Sequence, residues 1–264
     1  MKYQLAKPFL FLIAVIMVVS LACGIGSSSD APVAPAEDEP VEQAPVEESA
    51  PAESESVPTN TPEPMAEQYF TETFDADNGN WSTFIVDGEL YTINDGVGKN
   101  NVAIDNGRYI FELEEEGQWV YAKYDPYEYE NVRIEVVSDN RGVNNNNVSI
   151  ICRYTPDVGW YEFNIANNGL YNIYYAEYRE QSTKIRYNFI ANGGSNKIRT
   201  GKEVNTYVAS CEGRTLTLVI NDFEAISIDD NQYILDSGNV GVAVSSFVAL
   251  PVNVQIDSFT ISEP

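Results

Sequence analysis

Carboxylates in a strand-like run are the first groups in this chain that could do chemistry. Glu112, Glu114 and Glu116 occupy alternate positions of one segment. On a regular strand they would share one face, with neighbouring carboxylates about 7 Å apart and the outer two about 13 Å apart. Glycoside hydrolysis needs two carboxylates about 5–5.5 Å or about 6.5–9.5 Å apart, so these distances permit a catalytic pair. Gly117 follows at once, as at a solvent-exposed strand end, and favours the alternative of a solvated charge run.

A cluster of aromatic rings and amides between residues 160 and 178 could bind a sugar. Its rings are those of Trp160, Tyr161, Tyr171, Tyr174 and Tyr178. Aromatic rings stack on the apolar faces of sugars, and the interleaved asparagines could bond the hydroxyls. Strand alternation places Trp160 opposite Tyr161, and it places Tyr174 and Tyr178 opposite Tyr171. We therefore expect one set in the core and the other on an open face; a packing role for all the rings is the alternative.

The composition removes several kinds of active site. The 264 residues include no histidine, so a Ser-His-Asp triad, a Cys-His pair and a His-ligated zinc are excluded. Acidic residues outnumber basic ones by 40 to 15, which gives a formal net charge of −25. Such a field argues against a basic patch that would bind nucleic acid or an anionic bilayer.

The first 23 residues have the pattern of an export signal. Lys2 and Lys7 precede an uninterrupted apolar run from Phe9 to Val19, which is short for a membrane-spanning helix. The run leads into Ser20-Leu21-Ala22-Cys23, which resembles a bacterial lipobox. The resemblance implies that Cys23 is lipidated and that the protein is exported and anchored to the membrane on its extracytoplasmic face. A permanent N-terminal anchor helix is the alternative.

Residues 24–68 have the composition of a disordered tether. They hold 11 acidic residues, 8 of the 13 prolines and no Lys or Arg. Large apolar side chains are nearly missing, so no core can offset the entropy of ordering this segment. Because like charges and prolines keep such a chain extended, we expect it to hold the following domain away from the membrane.

The rest of the chain, residues 69–264, is predicted to be one all-β domain. Apolar and polar residues alternate in several segments, among them 108–114, 132–136 and 215–220, and a change of phase near Asp257 indicates a bulge. Asx-Gly pairs such as Asp87-Gly88 and Asn168-Gly169 recur between these segments, and they favour tight hairpin turns. Strands and turns at this spacing predict an antiparallel sandwich of about 12–15 strands.

Short motifs in this domain follow the order of a known family. They are Phe74-Asp75 with Trp81, Cys152-Arg153-Tyr154, Trp160-Tyr161-Glu162-Phe163, Asn168-Gly169-Leu170-Tyr171, Leu216 to Asn221, Gly238 to Val242, and Ile256-Asp257-Ser258-Phe259. In order and spacing they resemble the concanavalin A-like lectin and glucanase jelly roll, which includes laminin-G-like domains. The resemblance spans residues 70–262 and implies two curved antiparallel sheets. Members of the family bind glycans, bind proteins, hydrolyse glycans or do none of these.

The resemblance also bears on catalysis and on metal binding. Glycanases of this fold commonly carry Glu-x-Asp-x-Glu, but here Glu114 stands at the Asp position, which argues against catalysis. Asp75 and Asp77 offer oxygen ligands in one loop, and in the family a metal often lies near the position of Asp257. These three aspartates are therefore the candidate ligands for calcium, the one cofactor considered. The alternative is that the acidic loop is only a turn.

Two of the three cysteines, Cys152 and Cys211, lie in predicted strands of an exported domain. Disulfides persist outside the cytosol. If the two strands face each other, a Cys152–Cys211 bond would close a loop of about 60 residues. Two buried free thiols are the alternative.

These patterns together predict a surface lipoprotein that displays a non-catalytic jelly-roll module for glycan or another surface polymer. Two other classes stay open. One is a glycoside hydrolase that uses the carboxylates of residues 112–116, and the other is a structural or adhesive surface protein with a protein partner. A contiguous aromatic groove on one face would favour glycan binding, whereas a flat or filled face would favour the protein partner.

Overall fold

A computed structural model describes residues 67–179 and 182–264 of the chain. The predicted signal sequence, Cys23 and nearly all of the predicted tether lie outside these residues. Within the described residues every regular element is a β-strand, and no helix there is long and apolar enough to span a membrane.

Sixteen strands make up this part of the chain, one more than the upper end of the predicted range. They are β1 (Phe70–Glu72), β2 (Trp81–Asp87), β3 (Thr92–Asp95), β4 (Asn101–Ile104), β5 (Tyr109–Leu113), β6 (Gln118–Tyr129), β7 (Val132–Asn140), β8 (Asn146–Thr155), β9 (Gly159–Ala166), β10 (Leu170–Tyr178), β11 (Ile185–Gly194), β12 (Val204–Glu212), β13 (Thr215–Ile220), β14 (Phe223–Asp229), β15 (Gly238–Ser246) and β16 (Val252–Ser262).

The strands form two antiparallel sheets of eight strands each. Sheet A has the order β14-β13-β12-β7-β16-β5-β4, with β1 also paired to β16, and sheet B has the order β11-β10-β9-β8-β15-β6-β2-β3. The two sheets pack face to face as a sandwich, which confirms the predicted all-β, two-sheet architecture. Neighbours in each sheet are often far apart in sequence, as in the jelly-roll type of antiparallel sandwich.

The alternating segments became strands because one face of each meets the core between the sheets. In β5, Tyr109, Phe111 and Leu113 are buried, whereas Ile110 and Glu112 between them are only partly covered. The predicted phase change in β16 is also confirmed, since its pairing with β7 shifts register between Ile256 and Ser258. A bulge at that point lets both halves of the strand direct their apolar side chains into the same core.

The predicted disulfide joins the two sheets. Cys152 on β8 of sheet B is bonded to Cys211 on β12 of sheet A. Both cysteines are fully buried. The bond therefore crosses the core, which confirms the pairing.

The centre of sheet B is covered on both faces, where the sequence predicted burial of one face only. All nine residues of β15 are buried. Its valines enter the core between the sheets, and Ala243 lies on the opposite side beneath a second apolar cluster. This outer cluster consists of Phe84, Val86, Tyr121, Ile151, Tyr154, Trp160, Ala176, Ile185 and Ala243. β15 therefore needs small residues on its outer side, because the rings of the outer cluster pack closely against it there.

Candidate functional site

The candidate site lies on the outer face of sheet B, the side turned away from sheet A. Strand alternation sends Glu162 and Asn164 of β9 to this face, while Tyr161 and Phe163 enter the core between the sheets. Strands β6, β8, β10 and β11 add their own outward side chains. These strands lie up to five positions apart in the sheet.

Glu162 anchors a polar network at the centre of this face. Its Oε2 accepts hydrogen bonds from the Tyr121 hydroxyl at 2.7 Å and from Trp160 Nε1 at 3.1 Å. Its Oε1 accepts from the Ser149 hydroxyl at 2.8 Å and from Asn164 Nδ2 at 3.4 Å. Only 1% of Glu162 is exposed, so these four donors replace the water that the carboxylate has lost.

Burial sets the electrostatics of the network. Desolvation raises the pKa of Glu162, and the hydrogen bonds from Tyr121, Ser149 and Trp160 oppose that rise. Desolvation also raises the pKa of Tyr121 and of Tyr187, and the charge of Glu162 adds to both shifts. The two phenols stay protonated and remain donors. Since Tyr121 donates to Glu162, the 2.7 Å contact between the Tyr121 and Tyr187 hydroxyls uses the proton of Tyr187.

The network continues through amides toward solvent. Asn164 Nδ2 donates to Ser149 Oγ at 2.8 Å, and Asn164 Oδ1 accepts from Asn147 Nδ2 at 2.7 Å. Asn164 is buried and Asn147 is half-buried. The amides are therefore oriented before any ligand arrives, which lowers the entropic cost of binding.

A cavity of about 200 Å³ opens above this network. We call it the well, and it is lined by Tyr91, Trp119, Asn147, Glu162, Asn164, Asn172, Tyr174, Tyr187 and Phe247. Its volume lies below the range of about 300–1,000 Å³ for drug-sized ligands, so it admits one small ring-sized group. Aromatic rings form its walls, and the amides with Glu162 form its floor.

A buried hydroxyl adjoins the well. Ser245 on β15 is 1% exposed, and its Oγ has no hydrogen-bond partner. In the sheet Ser245 lies directly opposite Trp119 on one side and Asn147 on the other, both of which line the well. A buried hydroxyl without a partner costs about 1–3 kcal/mol, so this position favours a polar occupant nearby.

A second, larger cavity of about 820 Å³ lies at the other end of the same face. Its lining includes Lys123, Tyr154, Asp157 and Tyr178. The Tyr154 and Tyr178 hydroxyls are 2.9 Å apart, and Lys123 Nζ lies 5.5 Å from the centre of the Tyr154 ring. This cavity is wider and more charged than the well.

The five predicted ligand-binding aromatics fall into three places. Tyr174 lines the well and Tyr178 lines the second cavity, both partly exposed. Trp160 is fully buried in the outer cluster between them. Tyr161 and Tyr171 lie in the core between the sheets, where the Tyr161 hydroxyl donates to Asp230 Oδ2 at 2.7 Å. The five rings therefore do not form one site: alternation sends Tyr161 and Tyr171 into the core, packing covers Trp160, and Tyr174 and Tyr178 line different cavities.

The three predicted catalytic glutamates do not lie on this face. Glu112 belongs to β5 in sheet A, and its carboxylate accepts hydrogen bonds from Asn101 Nδ2 at 2.9 Å and Asn253 Nδ2 at 3.0 Å. Glu114 and Glu116 follow β5 in an exposed turn. Since β5 ends at Leu113, the three carboxylates do not share one strand face, and none of them lines the well.

The three predicted calcium ligands are engaged elsewhere. Asp75 accepts a hydrogen bond from Thr73 and Asp77 from the amide of Gly79. Asp257 forms an ion pair with Arg108, at 3.2 Å from Nε to Oδ1. Among the described residues no group of three acidic, histidine or cysteine side chains could hold a metal ion. The three predicted aspartates therefore do not come together as one calcium site within the described residues, and Arg108 already pairs with one of them.

Glu162 is the functional candidate that sequence reasoning missed. The signal was present, because Glu162 is the one charged residue of a buried strand and stands two residues after Trp160 and two before Asn164. Alternation alone puts these three side chains on one face. Trp119, Tyr187 and Phe247 could not be found in this way, since three other parts of the chain bring them to the well.

Comparison with known proteins identifies the fold. The chain matches no family profile and no curated protein sequence. A GH16 protein of a mixed-linkage glucan PUL from Bacteroides ovatus, solved in complex with a G4G4G3G product, superposes with a TM-score of 0.52 at 12% identity, over 73% of this chain and 99% of that one. A Bacillus subtilis protein of unknown function with a galectin-like fold gives 0.54 at 7% identity, over 74% and 94%. The fold is a concanavalin A-like jelly roll.

A lectin-type structure superposes in the same way on this jelly roll. The exoplasmic or lumenal domain of VIP36, solved with Ca2+ and Man3GlcNAc, gives a TM-score of 0.51 at 10% identity, over 75% of this chain and 90% of that domain. At such identities the likeness concerns the fold alone. It confirms the jelly-roll architecture that the sequence motifs implied, and it leaves the activity to be argued from the well.

Proposed function

We propose that this jelly roll is a non-catalytic module that binds glycan in the well of sheet B. The observation that carries the proposal is the composition of the well. Aromatic rings of Trp119, Tyr174 and Tyr187 surround a floor of amides and one carboxylate that are already hydrogen-bonded in place. Rings for the apolar face of a sugar and fixed polar groups for its hydroxyls are what carbohydrate recognition needs.

Hydrolysis has less support than binding. Among the described residues that line the well, Glu162 is the only carboxylate, and glycosidases of the usual kind need two. Glu162 is also held by four donors at the floor. A carboxylate fixed in this way orients a ligand better than it transfers a proton to one.

The filled centre of the outer face favours a competing role. Phe84, Tyr121 and Trp160 fill the space where an open groove would run, and a filled face suits a structural or adhesive protein with a protein partner. The well beside this filling is the reason to prefer glycan, because a flat protein-binding face has no need of a recessed polar floor.

The metal seen in one similar structure has no three-ligand group to hold it among the described residues of this chain. The VIP36 domain was solved with Ca2+, but here Asp257 is paired with Arg108. The half-buried amides of Asn147 and Asn172 in the well can bond sugar hydroxyls directly. We therefore propose binding that does not depend on calcium, and glycan binding in excess chelator tests this.

The decisive experiment screens the purified full-length chain against a glycan array and then titrates the retained glycan. We expect Tyr174→Ala to weaken binding about 10-fold, since a stacked ring contributes about 1 kcal/mol or more beyond its buried area. Phe223→Ala is the matched control, because Phe223 is an exposed ring on β14 of sheet A. Retention of no glycan at all would overturn the proposal in favour of a protein partner.

We also propose that the module is displayed at the cell surface through a lipid on Cys23. The resemblance of residues 20–23 to a lipobox and the acidic, proline-rich composition of residues 24–68 support this. Cys23→Ser should release the protein into the medium. Continued fractionation of the variant with the membrane would contradict lipid anchoring.

A further inference from the structure

The two edges of sheet B meet each other. β3 and β11 stand at opposite ends of the strand order, yet the amide of Ile93 donates to the Thr183 carbonyl at 2.8 Å and the amide of Ile185 donates to the Tyr91 carbonyl at 2.7 Å. An antiparallel bridge between Thr92 and Lys184 lies between these two bonds. We call residues 91–93 and 183–185 the strap.

The strap turns the outer face into the inside of a closed ring. Because the eight strands are joined in series and the strap joins their two ends, a cross-section at this level has no open side. The interior is filled with aromatic side chains. Phe84 stacks on Tyr121 at 4.5 Å between ring centres, and Trp160 meets Tyr121 edge-on at 5.4 Å.

A second contact crosses the interior of the ring. Tyr187 belongs to edge strand β11, and Tyr121 belongs to β6, which is five places away in the sheet. Their hydroxyls are nevertheless 2.7 Å apart. The ring is therefore tied through its interior as well as at its rim, and Tyr121 and Trp160 have no exposed surface.

The ring separates the two cavities of the outer face. Trp119 and Asn147, near the start of β6 and β8, line the well, whereas Lys123 and Tyr154, farther along the same strands, line the larger cavity. The two described linings share no residue. Glu162 and Tyr187 of the well both contact the buried Tyr121, so among the described residues the aromatic filling of the ring lies between the two cavities.

We propose that the well receives the terminal sugar of a glycan chain, inserted end-on, and excludes internal segments. This inference rests on the proposed glycan binding and deepens it. A polymer that lay across sheet B would have to pass through the strap and the outer cluster. A chain end needs only the well, where its terminal ring meets the floor of amides. Tyr91 in the wall of the well and Phe189 beside Tyr174 are 46% and 56% exposed, and they can contact the next unit.

The test uses mixed-linkage glucan, hydrolysed to fractions of graded mean chain length. At equal mass concentration, calorimetric titration counts binding sites per gram. End-on binding predicts that the count doubles each time the mean chain length is halved. An equal count in all fractions would overturn the inference but keep the proposed function. If neither these fractions nor any array glycan binds, the proposed function fails.

The closure itself is tested without any ligand. Amide hydrogen exchange of Ile93 and Ile185 should be slowed about 100-fold or more relative to unprotected amides, as for bonded edges of a stable sheet. Ile93→Pro removes one strap donor and should release the protection of Ile185. Asp95→Pro is the matched control, because Asp95 is in the same edge strand beyond the strap. Rapid exchange of Ile185 in the unmodified chain would overturn the closed ring, and with it the inference.

Discussion

At the scale of single residues, Glu162 shows how a buried charge is tolerated beside a binding cavity. An isolated carboxylate in an apolar setting is strongly disfavoured. Here hydroxyl, indole and amide donors all converge on the two carboxylate oxygens. The donors thereby fix the carboxylate, and the carboxylate fixes the amides beside it, so the polar floor of the well has one arrangement.

The stability of the domain should depend on pH through Glu162. Burial raises the pKa of Glu162 above its ordinary value of 4.5. A carboxyl whose pKa is higher in the folded state than in the unfolded state makes its full contribution to stability at pH values below its unfolded pKa. That contribution is lost as the pH rises through its folded pKa. The free energy of unfolding of the unmodified chain, measured relative to Glu162→Gln, should therefore fall as pH rises above the ordinary value of 4.5.

Urea denaturation at a series of pH values measures this difference. Glu116→Gln removes the same charge from an exposed turn and reports the effect of net charge alone. If the free energy of unfolding changed with pH equally in the unmodified chain and in Glu162→Gln, the folded environment would not be raising the pKa of this carboxyl.

Alternation predicted which side of a strand each ring takes, but it could not predict what covers that side. It correctly separated Tyr174 and Tyr178 from Tyr171. It gave no sign that Trp160 would be sealed beneath Phe84 and Tyr187, because those rings come from strands about 75 residues before it and about 25 after it. A period of two is local information, whereas exposure depends on contacts from distant parts of the chain.

At the scale of elements, the turn between β2 and β3 holds one wall of the well. Gly88 donates its amide to the Gly117 carbonyl at 2.7 Å. A β-carbon added at Gly88 would overlap the indole of Trp119 and would lie 2.6 Å from that same carbonyl. The glycine is needed here for close approach to the ring and to the backbone.

Gly88→Ala should push Trp119 out of the wall of the well. We expect a loss of about 1–3 kcal/mol in the free energy of unfolding, as for an overpacked site, with altered tryptophan fluorescence and weaker glycan binding. Gly194→Ala is the control, since a methyl there meets only Leu170 Cδ2 at 3.4 Å and the Gly169 carbonyl at 3.6 Å. Unchanged stability and fluorescence in Gly88→Ala would contradict this account of the wall.

The strands themselves were largely predictable, and their closure was not. Apolar alternation found β5, β7 and β13, and the phase change near Asp257 found the bulge of β16. The strap joins Thr92 to Lys184 across 92 positions of the chain through backbone hydrogen bonds. Any residue except proline can form such backbone bonds, so the pattern of side chains does not indicate where they occur. No local signal in the sequence therefore indicated that the edges of sheet B meet.

At the scale of the whole molecule, the disulfide is a covalent cross-link between the two sheets. Cys152 and Cys211 lie 59 positions apart in sequence. β8 and β12 are both interior strands of their sheets. The bond therefore ties the strand that carries Ser149 and Asn147, part of the polar floor, to the opposite sheet.

Removing this bond should destabilise the domain without abolishing its site. In the chain-entropy model, a loop of this length gives the folded state about 4 kcal/mol by restricting the unfolded chain, which corresponds to a fall of roughly 10 °C in melting temperature. The double variant Cys152→Ala/Cys211→Ala should show that fall in thermal unfolding. Reductant should lower the melting temperature of the unmodified chain by a similar amount and leave that of the variant unchanged.

Since both sulfurs are buried within the core between the sheets and the well lies on the other side of sheet B, the folded variant should keep its glycan affinity. A variant as stable as the unmodified chain would mean that packing between the sheets, and not the cross-link, limits unfolding.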